Sequence, residues 1–67
     1  MMDGSDRVEL ADVDVFASND IVMLCRINGK VVAVTQRTAL PGTEVSRTGD
    51  RGLLVLARDV AVGLALA

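Results

Sequence analysis

The pair Asn28-Gly29, set between the β-rich runs 21–27 and 30–36, constrains this chain more than any other feature. Asn-Gly is the preferred turn of a type I′ hairpin. Both central residues take positive φ there, and the twist of the turn matches that of the strands it joins. A two-residue loop leaves the register no slack: Ile27 faces Lys30, Arg26 faces Val31, Cys25 faces Val32, Leu24 faces Ala33 and Met23 faces Val34. One side of the ribbon then carries Ile21, Met23, Cys25, Ile27, Val32 and Val34. The other carries Val22, Leu24, Val31 and Ala33, with Arg26 and Thr35 at its edges. A hairpin with one wet side is normally polar on that side. This one is apolar on both, so its second face calls for a cover, from another element or another subunit.

The length makes a subunit at least as good a candidate as a helix. The chain has 67 residues, and a domain near that size buries only about 60% of its unfolded surface. Hydrophobic residues are nonetheless 51%, and mean hydropathy is +0.43. A homodimer or higher symmetric assembly burying Val22, Leu24, Val31 and Ala33 is therefore expected. The charged fraction of 24% and net charge of −2 argue against global disorder.

The composition also narrows the chemistry. With no His and one Cys, a Cys/His zinc site, a Ser-His or Cys-His nucleophile pair, an intrachain disulfide and a haem-attachment motif are all excluded. No cofactor and no metal site is expected. Cys25, mid-strand in an apolar run, reads as a buried, reduced thiol rather than a nucleophile. The start, residues 1–6, is acidic and polar without the basic and apolar regions of a secretory leader, and reads as a flexible arm ahead of one small domain over 7–67. The most apolar stretches, 52–57 and 60–67, fall short of the roughly 20 residues that span a bilayer. The expectation is a soluble cytoplasmic protein with no membrane partner.

Along the chain, 8–10 and 12–16 alternate with period two, but their apolar phases differ by one residue across Ala11-Asp12. A bulge or turn there would restore one face. Residues 17–20 read as a turn. Leu40-Pro41-Gly42-Thr43 fits a type II turn, with Pro fixing φ and Gly supplying a positive one. Residues 44–47 alternate and could pair along an edge. Thr48-Gly49-Asp50-Arg51-Gly52 is a second turn, and 53–57 reads as a buried strand. Beyond it, Val60, Val62, Leu64 and Leu66 alternate as a strand would, while Val60 and Leu64 also share a helical face. The Ala-rich composition favours a short helix.

Two resemblances bear on the second half. Thr48-Gly49-Asp50-Arg51-Gly52-Leu53-Leu54-Val55-Leu56, followed by Arg58, Ala61 and Leu66, resembles a group of small, uncharacterised phage-type β-rich proteins over roughly 21–66. Their pattern implies a hairpin, a Gly-Asp-x-Gly-x-Leu-Val stretch and a short helix closed by Gly-Leu. It implies an architecture but no activity; a mobile-element origin belongs to the expected accessory-module role. Residues 52–60, ending in Leu64-Ala65-Leu66, are similar to the strand–helix core of AbrB/MazE-type swapped-hairpin DNA-binding domains, which usually carry Pro at the place of Ala57 and Gly at that of Ala65. Residues 27–34 are also similar to the opening hairpin of Rieske-like domains, but the Cys and His ligands of that cluster are absent.

Weighed residue by residue, little in the chain points to catalysis. Asp12 and Asp14 would share a strand face about 7 Å apart, yet no further ligands join them, so they read as an acidic edge that discourages aggregation. Gly49-Asp50-Arg51-Gly52 lacks the Lys-Ser/Thr of a phosphate loop and reads as a turn. Charge is uneven. Residues 1–20 hold six carboxylates against Arg7, a net of −5; residues 21–67 hold six cations against three carboxylates, a net of +3. Arg37, Arg47, Arg51 and Arg58 lie in or beside the loops and could together grip phosphates. With no Trp or Tyr and one Phe, stacking on single strands lacks platforms.

The sequence thus predicts a mainly β fold: a small twisted sheet or partly open barrel of four or five strands with a short C-terminal helix. Its core is expected from Val15, Phe16, Ile21, Met23, Cys25, Val32, Val34, Val45, Leu54, Leu56, Val60 and Leu64. The expected role is a self-associating, non-enzymatic interaction or accessory module. The alternative is a nucleic-acid-binding dimer that uses the basic loop face.

Overall fold

The Asn-Gly turn closes as its residue types require. Asn28 and Gly29 take φ of 51° and 81°, the left-handed pair of a type I′ turn. A computed structural model describes residues 6–66. Strand β1 (Arg7–Ser18) leads into β2 (Val22–Ile27), then β3 (Lys30–Thr35), a single 3-10 turn (Gln36–Thr38), a long loop, β4 (Arg51–Ala57) and helix α1 (Arg58–Gly63). The four strands form one antiparallel sheet in the order β3-β2-β1-β4. The sheet is open, so of the two architectures the sequence allowed, the twisted sheet is the one formed. The β2–β3 pairing from Met23↔Val34 to Ile27↔Lys30 has the register the turn dictates.

The phase slip in β1 is absorbed where expected. Pairing with β4 jumps from Leu10↔Leu54 to Val13↔Gly52, and Asp12 takes the left-handed region at φ 58°. Aspartate tolerates that region better than most residues. The bulge keeps Leu10, Val13 and Val15 all on the buried side. It also breaks the simple alternation that would have set Asp12 and Asp14 side by side on one flat face.

A second irregularity in β1, between Val15↔Cys25 and Ala17↔Leu24, corrects the expected core. The extra residue is Phe16, which turns outward and is 42% exposed. Ile21 is likewise outside the core, at 71% exposed. It sits in a turn where the Asn19 side-chain oxygen accepts the Ile21 and Val22 N–H groups, ahead of the strand proper. In their place Leu10, Val13, Ile27 and Ala61 join Val15, Met23, Cys25, Val34, Val45, Leu54 and Leu56 in the buried cluster. Val32, Val60 and Leu64 pack against it half-buried.

The remaining segments cover the buried side. Ala39 and Val45 bring the loop over it, and α1 adds Ala61, with Val60, Leu64 and Leu66 alongside. The helix ends as a two-bond cap: Leu66 N–H donates to Ala61 O at 2.8 Å and Ala65 N–H to Val62 O at 3.0 Å. Ala65 holds the left-handed position at φ 61°, where glycine is usual. Among the described residues, no helix is long and apolar enough to cross a membrane. The expected flexible arm, residues 1–6, falls almost wholly outside the described residues.

Candidate interaction surface

The sheet has a second face, and its two margins differ. Beside β4 the loop doubles back over it. Pro41-Gly42 makes the expected turn, with Thr43 N–H donating to Leu40 O at 3.1 Å and Gly42 at φ 103°. Arg7 Nη2 fastens this turn through Pro41 O at 2.7 Å. The loop meets the outer edge of β4 without becoming a strand, which corrects the edge strand expected over 44–47. Leu40 N–H donates to Val55 O (2.9 Å) and Glu44 N–H to Leu53 O (2.7 Å). In return Val55 N–H donates to Thr43 Oγ1 (3.0 Å) and Leu53 N–H to Glu44 Oε1 (3.1 Å). Two side chains thus stand in for backbone acceptors. Gly52, at φ 157°, has no Cβ; one placed there would lie 2.7 Å from Glu44 Oε1. Val55 beneath the strap is 1% exposed.

Beside β3 nothing comparable occurs among the described residues. Ile27↔Lys30 is the closing pair of the hairpin, and Gln36 N–H donates to Ile21 O at 2.8 Å at its far end. Even-numbered residues of β3 therefore turn their N–H and C=O groups toward β2, and Val31, Ala33 and Thr35 turn theirs outward. Thr35 O accepts the Thr38 hydroxyl at 2.7 Å. Among the described residues, no hydrogen bond reaches the outward groups of Val31 or Ala33. Lys30 would ordinarily guard such an edge, but its Nζ is drawn to Ala65 O at 3.0 Å.

The four residues expected at an interface share this face. Val22 and Leu24 on β2 are half-buried, while Val31 and Ala33 on β3 are exposed, Val31 at 59%. Phe16 extends the patch across β1. The Arg26 guanidinium lies over its ring, 5.4 Å from the centroid, a contact worth about 0.5–1 kcal/mol where exposed. Sequence alone missed Phe16 as a surface residue; the bulge that turns it outward leaves no local signature beyond the length of the strand.

The four arginines do not form one site. Arg37 and Arg47 are exposed, and each follows one of the two residues joined by the Gln36 Nε2 to Ser46 O bond of 2.7 Å. Arg51 opens β4 and approaches Asp14 at 3.9 Å. Arg58 follows the far end of that strand, roughly 20 Å from Arg51 at 3.3 Å per residue. It lines a shallow hollow with Arg7, Leu40 and Val62.

Two titratable groups among the described residues depart from their usual values. Burial pushes the Cys25 thiol up from its usual value. The Ser46 and Arg47 N–H groups, both 2.9 Å from Asp50 Oδ2, hold that carboxyl below the usual carboxylate range and fix the second turn. Among the described residues, no group of three or more His, Cys, Asp and Glu is placed to hold a metal ion. No family model, no curated protein and no solved structure matches this chain.

Proposed function

We propose that this chain is a non-enzymatic interaction or accessory module that works as a symmetric self-assembly joined at the β2–β3 hairpin. The observation that carries the reading is the outer side of that hairpin. Val31, at 59% exposed, sits on an edge strand with bare hydrogen-bonding groups, beside Ala33, Leu24 and Val22. Soluble monomers avoid that combination of apolar surface and open edge. The phage-type resemblance supports an accessory role encoded by a mobile element. Light scattering at micromolar concentration tests the reading. A mass that is a multiple of the 7.0 kDa chain is expected, and a stable 7.0 kDa monomer would end it.

A second reading is a nucleic-acid-binding dimer. It is favoured by Arg37 and Arg47, both exposed and each next in sequence to one of the two residues joined by the Gln36 Nε2 to Ser46 O bond; a two-fold assembly would double that pair. Its expected signature is binding that weakens steeply with added salt. No shift in fluorescence polarisation of a labelled duplex at low salt would remove it.

A further inference from the structure

We infer that the occupant of the open sheet margin is the β3 strand of a second copy, paired antiparallel about a two-fold axis through Val32, so that two four-stranded sheets become one of eight. This rests on the self-assembly reading above and specifies its contact. The bare groups are the N–H and C=O of Val31 and of Ala33. In an antiparallel pair about Val32, Val31 of one copy lies opposite Ala33 of the other, and the four groups on each chain satisfy the four on its partner. The strand is its own complement in this register.

Three further observations favour a second copy. The edge has none of the usual protection: β3 contains no Pro and no bulge, and its one charge, Lys30, is held by Ala65 O. The hairpin 22–35 carries Arg26 and Lys30 and no carboxylate. Antiparallel pairing sends the two basic hairpin tips to opposite ends of the joint, whereas a parallel contact would stack them. Finally, the exposed members of the apolar face are Val31 and Ala33, on the edge strand itself, while Val22 and Leu24 on β2 are already half-buried. Edge pairing sets Val31 beside Ala33 of the partner subunit and so covers the part of the face that is most open.

Ala33→Pro and Leu24→Lys separate this contact from stacking of two sheets face to face. Proline at position 33 removes an outward N–H and leaves the bonds to β2 intact. Lysine at position 24 puts a charge in the middle of the face. The expected result is that Ala33→Pro halves the mass seen by light scattering while Leu24→Lys retains the assembled mass. An assembled Ala33→Pro with a monomeric Leu24→Lys overturns edge pairing but leaves self-association standing; a monomeric unmodified chain overturns both. Val32→Cys in a Cys25→Ala background, which removes the thiol that would otherwise face position 32 across the hairpin, gives a readout that does not depend on how proline is tolerated. On the axis, paired Cα atoms of this type lie about 4.5 Å apart, within the range a disulfide spans. In a glutathione redox buffer a covalent dimer should form at position 32, and its absence in an assembled protein overturns the register.

Discussion

The two margins of this sheet solve the same problem in opposite ways. Beside β4, both outward N–H groups and both outward C=O groups of Leu53 and Val55 find partners in the chain's own loop. Beside β3, the matching groups of Val31 and Ala33 find none among the described residues. The difference lies in what precedes and follows each strand. Some 15 residues separate β3 from β4, enough to cross the core and run back along β4. The tight turn at Asn28-Gly29 gives β3 no such strap. Among the described residues the one long loop covers one edge.

The strap is the place to break this comparison with the largest effect. Thr43→Val removes the acceptor for the Val55 N–H under a buried valine. An unmet buried donor costs about 1–3 kcal/mol, and the loss should appear as a lower midpoint in urea denaturation with an unchanged slope. A corresponding change on the other margin, Val31→Thr, should leave the unfolding of the dilute single chain within about 0.5 kcal/mol of the parent, as surface substitutions usually do.

Ala65→Gly sharpens the contrast from the other side. Ala65 holds φ 61°, a region that costs a non-glycine residue about 1 kcal/mol. Glycine there should stabilise the fold by about 1 kcal/mol in the same assay. Because Lys30 Nζ is bonded to Ala65 O, a firmer helix end also keeps that charge away from the edge, so assembly should be preserved.

Acid should loosen the second turn through Asp50. Asp50 titrates lower in the folded chain than in the unfolded one, so its contribution is present above the ordinary carboxylate value of about 3.9 and is lost as pH falls through the lower folded value. Asp50→Asn should flatten the fall in melting temperature below about pH 4 and leave the neutral-pH profile nearly unchanged in shape. The smallest effect belongs to Asp14→Ala. Its contact with Arg51 is 3.9 Å long between side chains 46% and 66% exposed, and such pairs contribute about 0.2–1 kcal/mol at most.

The contrast also divides what could be read from the residues. The hairpin, its register, the bulge at Asp12 and the turn at Pro41-Gly42 are local: each depends on two to four adjacent residues with restricted φ, and each is visible in the string. The four-strand sheet and short helix follow from those pieces and from the apolar run over 53–57. The seal on β4 is not local. It uses the Thr43 hydroxyl and the Glu44 carboxylate as substitutes for backbone, so 44–47 reads as a strand by alternation while serving the same purpose without a ladder. Phe16 and Ile21 failed as core residues because a second bulge and an Asn19 side-chain turn shift the phase by one, and periodicity carries no marker for either. Of the candidate site, Val22, Leu24, Val31 and Ala33 were legible from the turn register. The bareness of the edge they border was not, because it depends on where the distant loop goes.

Amide hydrogen exchange followed by NMR at Val31, Ala33, Leu53 and Val55 puts the two margins in one experiment. Leu53 and Val55, bonded within the chain, should exchange slowly at every protein concentration. Val31 and Ala33 should exchange slowly in the assembled protein and quickly on dilution to the single chain. Rapid exchange at Val31 and Ala33 in the fully assembled protein would contradict the account.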